Sequence, residues 1–316
     1  MWVIAIDLGG TVIKTGLFNE AGLIATGLVE VGLADGLINK LPEIEQVVDL
    51  LLESNNVKPG HLAGIAFAFS GLVDSIKNRV VSTNKKYDEA TTFDFVKWAK
   101  GKWGVPLFLE NDARMALLGE WQYGAGKGCS DLVSVTLGTG FGSAVLINGK
   151  LLVGKHFQAG NLGGHFVVNH QGTKCTCGNV GCVEAEASTW RLPSLLTEHP
   201  HFLSSSIKNE DVLDFKVLFN HASSNDSLAK EVLGHCLSVW SAGIISMIHA
   251  FDPELIILSG GIMKSSSVIL PALQQKVNQL AWTPWGKVKL VEAQYPDFSA
   301  LYGGNYLVRS KLDYEL

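Results

Sequence analysis

The chain has 316 residues, a formal net charge of −5, 47% apolar residues and 17% charged ones. That length accommodates two domains with a core each, and the composition is that of a folded protein and not a disordered one. An acidic balance without any block of Lys and Arg disfavours a general nucleic-acid binder held by phosphate neutralisation.

From the N-terminus, Met1 to Ile6 carry no basic stretch ahead of an apolar core, so no secretory signal is expected and a reducing cytoplasm is the expected compartment. The first element is an apolar, β-rich run, Val3-Ile-Ala-Ile-Asp7, followed by the turn Gly9-Gly10-Thr11. A second β-rich run through Lys14 then ends in a hairpin signal, Asn19 to Gly22. A glycine turn between strands presents backbone N–H groups without Cβ obstruction, which suits phosphate oxygens. Lys85-Lys86 and the stretch 97–102 read as solvated faces. A short β run, Val105 onward, ends at Glu110, and Ala113, Ala116, Leu117 and Glu120 then recur at helical spacing. Asn111 and Asp112 fall at that helix start. Both suit simple N-capping. Asp112 alternatively faces a cleft and accepts a proton from a hydroxyl, as a positional base that the helix N-terminus keeps ionised.

The segment Leu132 to Asn148 repeats the first element: a β-rich run, the turn Gly138-Thr139-Gly140-Phe-Gly142, a second β-rich run and the hairpin signal Asn148-Gly149. Its glycines, serines and threonines make it strand–turn–strand and not a membrane span. Two such hairpins predict a duplicated fold with a cleft between the halves. His165, Cys175, Cys177 and Cys182 follow, with Gly178 and Gly181 between the later cysteines. Three thiols and an imidazole are the soft tetrahedral set that zinc prefers. Five cysteines are an odd count, which argues against a closed disulfide framework. With no evident open coordination position, the zinc is expected to be structural and to stiffen a loop beside Glu184. Cys129 and Cys236 are isolated and read as ordinary thiols.

Residues 197–226 show weak periodicity and are expected to form variable helices. Leu237 to Phe251 reads as a buried helix with His249 as a satisfied core residue. Trp121, Trp240, Trp282 and Trp285 read as core or interface. Glu254 to Ser259 is a short buried strand entering Gly260-Gly261. That bend is either a plain strand-to-helix turn or one that lets a base or ribose approach the backbone. Ser265 to Leu280 then reads as a helix containing Pro271, and Ala300 to Val308 as a final helix.

Together these motifs resemble the ROK family of sugar kinases and regulators. The resemblance rests on Asp7-x-Gly9-Gly10-Thr11, Glu110-Asn111-Asp112-Ala113, Leu137-Gly138-Thr139-Gly140-x-Gly142, Gly164-His165, the run from Cys175 to Glu184, and Ser259-Gly260-Gly261. It implies a two-domain α/β fold of the actin-like, ribonuclease H-like ATPase type, with a central cleft and a zinc-binding loop. The first domain would span 1–118, with a C-terminal helix near 299–316 packing back on it; the second would span 119–298 and contain the zinc loop 165–184. The implied activity is that of an ATP:sugar phosphotransferase acting on a hexose hydroxyl, usually the 6-OH, with Asp112 as general base. Asn111, His165, Glu184, Gly71 and Asn84 would bind the sugar, His165 also ligating zinc through its other nitrogen. Asp7 would position Mg²⁺ and phosphate. Gly9, Gly10, Thr11, Gly138, Thr139 and Gly140 would cradle phosphates, and Gly260 and Gly261 would lie near adenosine. Catalysis would rest on positioning, charge neutralisation and water exclusion. The implied partners are sugar and ATP, with Mg²⁺ and structural Zn²⁺, neither nucleic acid nor membrane, in a monomer or homodimer.

Three positions depart from the family pattern. Leu162 stands where a glutamate usually bonds sugar hydroxyls, Ser70-Gly71 replaces Pro-Gly, and Arg114 takes a position often held by Asn. Loss of a hydroxyl-binding carboxylate should change which sugar is accepted, so the preferred sugar need not be glucose. Two other readings are a sugar-sensing transcriptional regulator, for whose DNA-reading module Asp7 lies too close to Met1, and a non-catalytic sugar-binding protein, which intact Asp7, Asp112 and glycine turns disfavour.

Overall fold

A computed structural model of the protein describes residues 1–32, 36–58, 60–83 and 86–313. Its contacts divide it into two units, Met1–Gly128 with Val153–Ala159 and Asp297–Leu316, and Cys129–Leu152 with Gly160–Pro296.

The sheet of the first unit has the order β3-β2-β1-β4-β7. It is built from β1 (Trp2–Leu8), β2 (Val12–Asn19), β3 (Gly22–Glu30), β4 (Leu62–Phe69) and β7 (Leu107–Asn111). β1, β2 and β3 run antiparallel, whereas β1, β4 and β7 are parallel. β1 and β4 are apolar nearly throughout because both faces of a parallel sheet are covered, while β3 at the edge alternates. A small hairpin, β5 (Gly71–Asp74) and β6 (Arg79–Thr83), leaves the end of β4.

On one face α1 (Leu37–Ser54) buries Leu37, Leu41, Ile44, Val48 and Leu51, a helical stripe set by its spacing. α2 (Phe95–Trp103) joins that layer, begun by the Asp94 side chain accepting from Lys97 N–H and ended by Gly104 in the left-handed region. The stretch 97–102 is not wholly a solvated face, since Lys102 bridges Glu45 and Asp49 of α1. On the other face lie α3 (Asp112–Tyr123) and α9 (Ser299–Asp313). Their backbones touch: a Cβ on Gly119 would stand 2.0 Å from the Ser299 carbonyl oxygen, and one on Gly303 would stand 1.7 Å from that of Met115. A Cβ on Gly304 would stand 2.8 Å from the Ala5 Cβ and 2.9 Å from the Ala66 Cβ of the sheet. A boundary after residue 118 falls inside α3, and the contact division instead keeps that helix whole.

The excursion 153–159 is gathered around one side chain. Arg114 is fully buried, and its guanidinium donates to the carbonyls of Val153 (3.3 Å), Phe157 (3.1 Å) and Ala159 (2.7 Å). Glu110, one turn earlier, lies 3.6 Å from the same group and supplies the opposite charge that a buried cation requires.

The second unit repeats the pattern of the first, with the order β10-β9-β8-β11-β12. β8 (Leu132–Leu137), β9 (Phe141–Ile147) and β10 (Lys150–Leu151) are antiparallel; β8, β11 (Leu255–Ser259) and β12 (Lys289–Glu292) are parallel. The two glycine-turn hairpins therefore occupy equivalent places, as a duplicated fold requires. Short helices α4 (Val183–Glu186) and α5 (Leu192–Thr197) precede α6 (Phe215–Ser223), α7 (Ser227–Phe251) and α8 (Ser266–Leu280). Among the described residues α7 alone is long and apolar enough to cross a membrane, but it is the core helix of this unit: Trp240 is fully buried and its indole N–H donates to the Ala187 carbonyl at 2.7 Å. It begins ten residues earlier than the apolar run from Leu237, at an Asp226 cap that accepts from Ala229 N–H. His249 is exposed and accepts from Trp282 N–H at 3.0 Å instead of sitting in the core, and Trp282 and Trp285 are exposed as well.

Candidate active site and metal-binding loop

Parallel pairing brings the chemistry of the first unit to one edge. Asp7 is level with Ala68 and Glu110, and Leu8 with Phe69 and Asn111. The residues that follow, Gly9-Gly10-Thr11, Ser70-Gly71 and Asp112, thus emerge together beyond the carboxyl ends of three neighbouring strands, where open α/β sheets bind ligands. Gly71 must be glycine there, because a Cβ would stand 2.5 Å from the Ser82 carbonyl oxygen. Asn84 lies outside the described residues.

Asn111 is an N-cap, its Oδ1 accepting from Arg114 N–H at 3.2 Å. Its amide also donates to Gly71 O (3.0 Å) and to Asp112 Oδ1 (2.9 Å), so capping and cross-loop bracing are combined in one residue. Asp112 is half-buried, and Oδ1 also accepts from Ala113 N–H at 2.9 Å. Burial pushes its carboxyl up, against hydrogen bonds from Ala113, Ser70 and Asn111 that pull it down. The helix start does not dominate here, since desolvation from the whole surroundings outweighs the donors of one turn. Asp7 is pushed up to about 6, first by burial and then by the charge of Asp112, with Lys14 opposing. Lys14 itself donates to the Asp297 carbonyl at 2.7 Å and lies 3.4 Å from that carboxylate.

At the first glycine turn a Cβ on Gly9 would stand 2.4 Å from the Val12 carbonyl oxygen, whereas Gly10 has nothing within 4 Å of that position. Gly10 and Thr11 are exposed. Lys86 is half-buried and anchored: its ammonium donates to Gly10 O, and the hydroxyl of buried Tyr87 donates to Gly9 O at 3.2 Å. Neither contact has a local signal, because the partners are far apart in the chain.

In the second unit, Gly138 N–H donates to Gly140 O at 3.1 Å, closing the turn, while Thr139 is exposed and Gly138 and Gly261 have open space where a Cβ would be. Gly140 lies against the Glu184 carboxylate: a Cβ would stand 2.2 Å from Oε2. That oxygen also accepts from Phe141 N–H at 3.1 Å. Glu184 therefore joins the turn to the cysteine loop. Gly260 (φ +97) packs against the Leu137 carbonyl at the end of β8, so the turns after β8 and β11 adjoin.

The four ligand atoms of His165, Cys175, Cys177 and Cys182 lie within 4.8 Å of one another. Cys175 Sγ is 3.6 Å from His165 Nδ1, and Cys177 Sγ is 3.7 Å from Cys182 Sγ. A tetrahedral zinc with bonds of about 2.3 Å to sulfur and about 2.0–2.1 Å to nitrogen would separate sulfur from sulfur by about 3.8 Å and sulfur from nitrogen by about 3.6 Å. The four residues fit that ion. The loop reaches this shape through Gly181 (φ +70), where a Cβ would stand 1.5 Å from the Asn169 carbonyl oxygen. Buried Glu186, absent from any sequence motif identified above, accepts from Thr173 N–H and braces the loop from below. Gly164 packs on the Phe141 carbonyl, setting the turn that carries His165. Cys129 and Cys236 lie outside the cluster, and burial pushes the Cys236 thiol up to about 12.

The model of the ROK family matches residues 3–311. A glucokinase of Thermotoga maritima is 28% identical over 98% of this chain and 98% of its own length. The xylose repressor of Bacillus subtilis is 28% identical over 72% of this chain, which covers 56% of the repressor. Among solved structures, a ROK family glucokinase from Streptomyces griseus in complex with glucose and AMPPNP superposes with a TM-score of 0.79 at 25% identity, covering 98% of this chain and 100% of that one.

Proposed function

The chain belongs to the ROK family of actin-like ATPase fold, and from that premise we propose that it is an ATP-dependent kinase that phosphorylates a hydroxyl of a hexose or hexose derivative, the 6-OH, with Asp112 as general base. The observation that carries the reading is the pair of carboxylates, Asp7 and Asp112, at the carboxyl edge of one parallel sheet beside a glycine turn. Similarity to a glucokinase over its whole length supports it, whereas the xylose repressor is matched over little more than half of its own.

In this reading Asp112 takes the proton of the sugar hydroxyl as its oxygen bonds to the γ-phosphorus and the bond to the β-phosphate oxygen breaks, releasing ADP. A carboxylate raised by burial is a stronger base than an ordinary aspartate, which suits that task. Asn111, braced on Gly71, holds Asp112 and meets the sugar together with Gly71, Asn84, Glu184 and the His165 nitrogen that faces away from the thiols. Gly9, Gly10, Thr11, Gly138, Thr139 and Gly140 present the turns to the phosphates, and Gly260 and Gly261 allow close approach of adenosine. Asp7 would hold Mg²⁺, which when bound neutralises charge on the phosphates. Zinc held by His165, Cys175, Cys177 and Cys182 would stiffen the sugar-side loop and take no part in the reaction. Closely spaced thiolates need a reducing compartment, so the cytoplasm is the proposed location.

The Leu162 side chain offers no hydrogen bond where the family glutamate does, so the preferred sugar is proposed to be one that need not be glucose. The test is ADP release over a panel of hexoses, ketoses and N-acetylamino sugars, for wild type and Asp112→Asn. We expect one or a few sugars to stimulate turnover and the variant to lose about 10²–10⁴-fold in rate. Equal rates for the two proteins remove Asp112 from the base role, and full activity on glucose alone removes the specificity argument.

A further inference from the structure

Lys86 and Tyr87 are consecutive residues that grip consecutive carbonyls of the first glycine turn. The Lys86 ammonium donates to Gly10 O and lies 5.1 Å from the centroid of the Tyr87 ring, whose hydroxyl donates to Gly9 O at 3.2 Å. In a trans peptide the carbonyl and the following N–H point in opposite directions. Holding the Gly9 and Gly10 carbonyls on the Lys86–Tyr87 side therefore turns the N–H groups of Gly10 and Thr11 away from it. Among the described residues neither N–H has a protein acceptor, and both residues are exposed.

Charge adds to the orientation. Asp7 and Asp112 bring negative charge to this edge, and Lys14, the cation nearest Asp7 in register, is engaged with Asp297. Lys86 pairs with no carboxylate among the described residues. A cation on a carbonyl oxygen polarises the whole peptide group and makes its N–H a stronger donor. Such preorganised donors favour an anion because they need no reorientation when it arrives.

We propose that Lys86 is a positioning residue of the phosphate turn: with the Tyr87 hydroxyl it fixes the Gly9 and Gly10 carbonyls on one side, so that Gly10 and Thr11 N–H face a polyphosphate chain on the other. The proposal rests on the kinase reading only in that a nucleotide triphosphate is the anion. It is tested by calorimetric titration of wild type, Lys86→Met, Lys86→Arg and Tyr87→Phe with a non-hydrolysable ATP analogue and Mg²⁺, alongside their melting temperatures. We expect Lys86→Met to weaken analogue binding about tenfold, Tyr87→Phe about threefold, and Lys86→Arg to restore most of the affinity, with melting temperatures near wild type. Wild-type affinity in Lys86→Met overturns the proposal and leaves the kinase reading intact. A loss of affinity matched by a large fall in melting temperature in both Lys86→Met and Lys86→Arg assigns Lys86 to folding and overturns it as well. A wild type that binds no nucleotide sinks both.

Discussion

Replacing Asp7 by Asn should make the protein more stable and less active, and the gain should depend on pH. The Asp7 carboxyl is raised from an ordinary 3.8 to about 6. The folded state therefore holds this proton more tightly than the unfolded chain does. Stability from this group is greatest below about pH 4, declines as pH rises from about 4 to about 6, and is constant above that. The full shift is equivalent to about 3 kcal/mol of destabilisation at neutral pH, an upper value because Asp7 is only half-buried. Asn keeps the shape and removes the charge. Urea unfolding at pH 4 and pH 8 should show little difference between wild type and Asp7→Asn at the lower pH and a gain of about 1–3 kcal/mol at the higher one. The charge of Asp112 is the second cause of the shift, so the gain should shrink when Asp112→Asn is already present. A gain equal at both pH values, or none at pH 8, would refute the reasoning.

Two further expectations concern the metal and the helix pair. Cys182→Ser should lower metal content from one ion per chain to near zero by elemental analysis, and chelation of the wild type should reproduce its loss of thermal stability; full metal content in the variant would disprove the ligand assignment. Gly303→Ala should destabilise by more than about 4 kcal/mol in denaturant unfolding, because its Cβ meets backbone 1.7 Å away, whereas Gly101→Ala, with nothing within 4 Å inside α2, should stabilise by about 0.5–1 kcal/mol.

What the sequence made legible is what local patterns encode. The two glycine hairpins, the start of α3 at Asn111-Asp112 and the thiol–imidazole set each depend on one short contiguous stretch of chain, and each is found where its spacing placed it. What stayed hidden depends on partners distant in the chain. The upward shift of the Asp112 carboxyl follows from burial by its surroundings, which outweighs the donors at its helix start. Lys86 looked like one of two surface lysines until the fold set it on Gly10. Gly140 belongs to a glycine turn, and the carboxylate that lies against it comes from Glu184, far along the chain. The return of residues 153–159 to the first unit follows from the carbonyl-gathering of Arg114, which no periodicity announces.

The contact of α3 with α9 has a consequence for how the chain matures during synthesis. Val3, Ala5, Ala66 and Ala68, on the α9 side of the first sheet, are synthesised ahead of the second unit, whereas the helix that covers them is made after it. The first sheet must wait, partly bare, while the whole second unit is translated, and that interval is when a chaperone would find it or an aggregate would form.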